Sequence, residues 1–130
     1  MTSVVSDNLP AYLATQFPGA VADIERIQSA DPDTPALNAY AYIAEVVWSG
    51  SFEPAIDAGD EPAIRHCFRV TEDLLASDDQ NLRTATSIRL TEHLAVQKLR
   101  PLVVEHAGPN LRRDLTRATG HDLREAGICH

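Results

Sequence analysis

Residues 37–48, LNAYAYIAEVVW, set the fold class of this chain. Leu37, Tyr40, Ala41, Ala44, Val47 and Trp48 follow the i, i+3, i+4, i+7 spacing of a helix face. Tyr42, Ile43 and Val46 make the other side apolar as well. A helix that is apolar on most sides belongs at the centre of a core. Thr34 and Pro35 open it as N-cap and first helical residue, and Ser49-Gly50-Ser51 is expected to end it.

The flanking sequence keeps the same period. Upstream, Asp31-Pro32-Asp33-Thr34-Pro35 is a break, preceded by a short helix carrying Val21, Ile24 and Ile27. Before Pro18-Gly19, the residues Leu9, Tyr12, Leu13 and Phe17 are helically spaced, with Ser6 or Asp7 as cap and Pro10 in the first turn. Downstream, residues 52–61 read as a loop or a short helical turn. Asp60 caps a helix whose inner stripe is Ile64, Cys67, Phe68, Thr71, Leu74 and Leu75. Ser77-Asp78-Asp79 ends it and caps the next, carried by Leu82, Ala85, Ile88, Leu90, Leu94 and Ala95. Pro101 opens a further helix through Leu102, Val103, Val104 and Ala107, although Leu102-Val103-Val104 also reads as a short strand. Gly108-Pro109-Asn110 starts a last helix with Leu111, Leu115 and Ala118 inward and Gly120 at its end. The expectation is one all-α domain over residues 1–130, a compact bundle or short stack of five to seven helices, with 121–130 as a frayed tail.

Composition agrees. Apolar residues make up 44% and charged residues 23%, while aromatics are only 5%, so Leu, Ile, Val and Ala must build the core. At 130 residues the chain needs neither disulfide nor metal to fold, and Cys67 and Cys129 read as two reduced thiols. No signal-peptide pattern or membrane-length apolar run occurs, and the expectation is a soluble cytoplasmic protein. The net charge of −8 is unevenly spread. Residues 1–79 hold fourteen acids and three bases, and residues 80–130 hold five acids and eight bases. The acidic half repels phosphates, so nucleic acid is a disfavoured partner and a protein with a basic surface a favoured one.

Candidate sites are sparse. Glu53, Asp57, Asp60 and Glu61 cluster in sequence; they suit docking of a basic partner, and also capping and solubility. Trp48 and Phe52 flank Ser49-Gly50-Ser51: exposed, they make a partner-binding hot spot beside Glu53 and Asp57; buried, they are core. Arg112, Arg113 and Arg117, with Lys98, Arg100 and Arg124, could form an anion-binding strip on the outer face of the last helix. The histidines His66, His93, His106, His121 and His130 match no metal spacing and are expected at the surface or at caps; Cys129-His130 is at most an opportunistic ligand pair. His66-Cys67 point about 100° apart on a helix and do not make a nucleophile–base pair. No phosphate loop or nucleophile elbow is present, and no catalytic residue or cofactor is expected.

The pattern Phe68…Glu72-Asp73-Leu74-Leu75, followed by Asn81…Thr86…Ile88…Leu90-Thr91-Glu92-His93-Leu94, resembles a group of uncharacterised small all-helical bacterial proteins, some of which are similar to immunity partners of secreted toxins. The similarity covers residues 60–115. It implies a toxin-neutralising protein and carries no catalytic residue. Two other classes stay open: a small metal-dependent or small-molecule enzyme with its site in the helical core, and a regulator, dimeric if so, binding nucleic acid through the basic C-terminal half.

Overall fold

The chain's structure, a computed structural model, describes residues 4–30 and 35–119. Among them are seven helical rods and no strand. They are α1 (Leu9–Gln16), α2 (Val21–Ala30), α3 (35–58), α4 (Glu61–Leu75), α5 (80–94), α6 (Arg100–His106) and α7 (Pro109–Thr119). Short 3-10 turns, Pro18–Ala20 and Gln97–Leu99, lead into α2 and α6. The break at 31–34 with its Thr34 cap, and the tail at 121–130, lie outside the described residues. No described helix is long and apolar enough to cross a membrane.

The central rod α3 packs on α2, α4 and α5; α4 packs also on α5 and α7, and α7 closes over the second half of α5. Ser49-Gly50-Ser51 does not end α3. The rod runs from Pro35–Ala41 through a π-helical stretch, Tyr42–Phe52, into Glu53–Ala58. In a π turn the bonding partner lies five residues back rather than four. Ser51 follows that register, its Oγ donating to the Val46 carbonyl at 2.8 Å. A Cβ on Gly50 would lie 2.8 Å from the Glu45 carbonyl oxygen, so this glycine permits a close approach inside the helix instead of stopping it.

The buried face of α3 also differs from the expected one. Ala39, Tyr42, Ile43, Val46, Val47 and Phe52 are sealed, each at most 1% exposed, whereas Tyr40, Ala41, Ala44 and Trp48 are half-buried. A helix apolar nearly all round cannot choose its innermost face by hydrophobicity; its neighbours choose it. In α5 a second π turn, Ser87–Thr91, resets the register. Leu82, Ala85, Thr86, Leu90, Thr91 and Leu94 are buried, but Ile88, expected inward, is 42% exposed and Ala95 is exposed.

Polar side chains join the rods at their ends. Gly59 closes α3 in the left-handed conformation (φ 65°), with its N–H on the Ile56 carbonyl and the Asp60 N–H on that of Ala55. Asp60 then caps α4 as expected, accepting from the Ala63 N–H at 3.3 Å. Asp79 caps α5 through the Asn81 and Leu82 N–H groups. It also accepts the Ser6 N–H at 2.8 Å, and that backbone bond, the largest influence on it, lowers its pKa. Ser6 is therefore buried against α5 rather than capping α1, whose N-cap position is Asn8. Glu72, expected on the outer side of α4, reaches the start of α7 and accepts from Asn110 N–H (3.0 Å) and Leu111 N–H (2.8 Å).

Candidate functional site

The α3–α4 corner carries the acidic residues singled out by the sequence. Glu53 and Asp57 are one helical turn apart and share a face of α3; Asp60 and Glu61 follow at the turn into α4. All four are exposed. No cation among the described residues lies within ion-pair distance of Glu53, Asp57 or Asp60. The fold adds two residues that the sequence gave no reason to join to them. Glu105 and His106, at the C-terminal end of α6, meet Glu61: His106 Nε2 lies 3.1 Å from Glu61 Oε1 and 3.8 Å from Glu105 Oε2. His106 is not a surface histidine, its side chain being 7% exposed. Its ring lies against Phe68, centroids 5.3 Å apart and planes 28° off parallel. Phe68 in turn meets Phe52 edge-on at 5.0 Å.

Phe52 leaves the list of partner contacts. It is fully buried, between Trp48 and Phe68, because the π stretch carries the rod on past Gly50 and turns this ring into the core. Trp48 is half-buried and stacks flat on His93, centroids 4.5 Å apart. Its ring is engaged within the fold and only part of it faces outward.

Of the arginines expected on the outer face of the last helix, Arg113 and Arg117 are exposed and Arg112 is half-buried. Arg112 donates to the Ala107 and Val104 carbonyls, both at 3.0 Å, and so closes the end of α6. Arg117 pairs with the buried carboxylate of Asp114, and Arg113 bonds the Asn110 side chain at 3.3 Å. Arg113 and Arg117 do line a shallow cleft of about 140 Å³ with Arg83, Asn110 and Asp114. Arg83 and Arg117 also border a second one of about 270 Å³ with Gln80, Thr84, Ser87 and Ile88. Asp114 offsets the positive charge in the first cleft, and Lys98 and Arg100 border neither. Arg124, His121, Cys129 and His130 lie outside the described residues.

The His66-Cys67 pair has no catalytic geometry. Cys67 is 1% exposed and burial pushes its thiol up to about 12, so no thiolate nucleophile forms near neutrality. Arg69 can only donate, so His66 Nδ1 must accept from it (2.7 Å), and Nε2–H donates to the Gln16 carbonyl at the end of α1 (3.0 Å). His66 caps the end of α1.

The acidic corner had a sequence signal, four carboxylates within nine residues. Glu105 and His106 had none, because their approach to Glu61 depends on how α6 packs. No curated protein and no solved structure matches the chain. Residues 10–124 match a family model described as a domain of unknown function (DUF7674), and the chain belongs to that family.

Proposed function

We propose that this protein is a cytoplasmic protein-binding module whose α3–α4 corner docks a basic surface of its partner, in the manner of an immunity protein neutralising a toxin. The observation that carries this is the exposed run Glu53, Asp57, Asp60 and Glu61, three of whose carboxylates have no cation in reach among the described residues. Glu105 extends the same negative surface from α6. Uncompensated like charge on one face steers association with a cationic patch more than it stabilises the chain that bears it. Trp48 can add contact only through the part of its ring not covered by His93.

The test is kinetic. Partners captured on the immobilised chain are identified by mass spectrometry, and the association rate of the purified pair is followed by stopped flow at low and high salt. The variant E53K/D57K leaves the Asp60 cap and Glu61 in place. It should slow association at least about tenfold at low salt, with the difference shrinking as salt screens it. An association rate unchanged by that double reversal refutes the assignment of this face.

A further inference from the structure

We propose that Glu61, Glu105 and His106 form a site for one first-row divalent cation of the zinc type. One ligand atom from each converges, all lying within 4.8 Å of one another. Zinc–ligand bonds of about 2.0–2.2 Å place neighbouring ligand atoms roughly 3 to 3.5 Å apart. The observed 3.1 and 3.8 Å from His106 Nε2 are already near that spacing, and two exposed glutamates can supply the remaining contraction.

The independent observation is His106 itself. Its Nε2 is a buried atom with no hydrogen-bond partner, although Glu61 Oε1 is only 3.1 Å away. A contact that short without a hydrogen bond means the carboxylate oxygen sits off the axis of the ring nitrogen. A hydrogen bond wants the acceptor on that axis, whereas a shared cation occupies the axis and pushes the other ligands to its side. Phe68 covers the ring face and holds it in this orientation.

Charge and donor type select the cation. A neutral imidazole with two carboxylates carries a formal −2, which a divalent ion cancels. The imidazole favours zinc, cobalt or nickel over the all-oxygen preference of calcium and magnesium. The neighbouring Asp60 carboxylate, exposed at the same corner, raises the local concentration of any cation. Bound there, the ion would tie the start of α4 to the end of α6. The site shares Glu61 and Glu105 with the docking face, but its test is read on the isolated chain, without a partner.

The experiment is zinc titration of the full chain by calorimetry under reducing conditions, with the absorption spectrum of added cobalt as a second readout. One equivalent should bind, and Glu105→Gln and His106→Gln should each weaken it at least about tenfold. Glu105 is exposed, so E105Q keeps the test decisive even if H106Q disturbs packing. Cys129→Ser, which removes the competing terminal thiol, should leave binding unchanged. The proposal is overturned if zinc does not bind saturably, if E105Q and folded H106Q bind it as the native chain does, or if C129S abolishes binding.

Discussion

Removing the Glu72 carboxylate should unseat α7 although Glu72 belongs to α4. Its two oxygens accept the Asn110 and Leu111 N–H groups at 3.0 and 2.8 Å, satisfying donors that the first turn of a helix leaves free. Hydrogen bonds to a charged group contribute about 1.5–3 kcal/mol each, and loss of an N-cap costs about 0.5–2 kcal/mol. Glu72 is half-buried and water partly replaces it, so Glu72→Ala should cost about 2–3 kcal/mol in all. Against a typical urea slope of about 1–3 kcal/mol per molar, the unfolding midpoint should fall by about 0.7–3 M. Gly108 supplies the internal check. A Cβ there would lie 2.5 Å from Glu72 Cδ, so Gly108→Ala must push the carboxylate off its donors and should cost about 1–3 kcal/mol. In the Glu72→Ala background that clash is gone, and the two changes should fall short of additivity by at least about 1 kcal/mol. A Glu72→Ala loss below about 0.5 kcal/mol, or strict additivity in the cycle, would refute the cross-helix cap.

Phe52→Ala should cost about 3–5 kcal/mol by urea denaturation, whereas the adjacent Glu53→Lys should stay within about 0.5 kcal/mol; similar costs would contradict the burial of Phe52 and exposure of Glu53. The Ser6 N–H, foremost among its backbone donors, holds the Asp79 carboxyl below its ordinary 3.8. Its contribution to stability is therefore complete above that value and lost as pH falls through the depressed folded pKa, so Asp79→Asn should flatten the acid limb of a stability–pH curve and leave a curve parallel to the native one if that linkage is wrong. In a Cys129→Ser background, Cys67 should stay unreactive to a thiol reagent at pH 8 until denaturant unfolds the chain, since it is sealed and its thiol is pushed up to about 12; prompt labelling of the native protein would mean the α4 stripe opens.

Local chemistry was legible along the chain. The 3.6-residue apolar period marked most of the rods, although α6 also read as a short strand and the end of α3 as a loop; Asp60 announced the start of α4, and the greasy segment 37–48 was central, as a helix with so little polar surface must be. These signals act over about one turn, so neighbours in sequence carry them. Packing settled the rest. Ser49-Gly50-Ser51 looks like a stop by composition, yet the core holds the chain helical through it in π register, and a second π turn sends Ile88 outward. Glu72 reads as a solvated residue until α7 is brought to it, and Arg112 as a surface cation until the end of α6 lies within its reach. Glu61 and His106 are forty-five residues apart, and neither spacing nor period links them. Only the way the helices stack puts a buried imidazole beside two carboxylates, because contacts between distant residues depend on how whole rods fill space together.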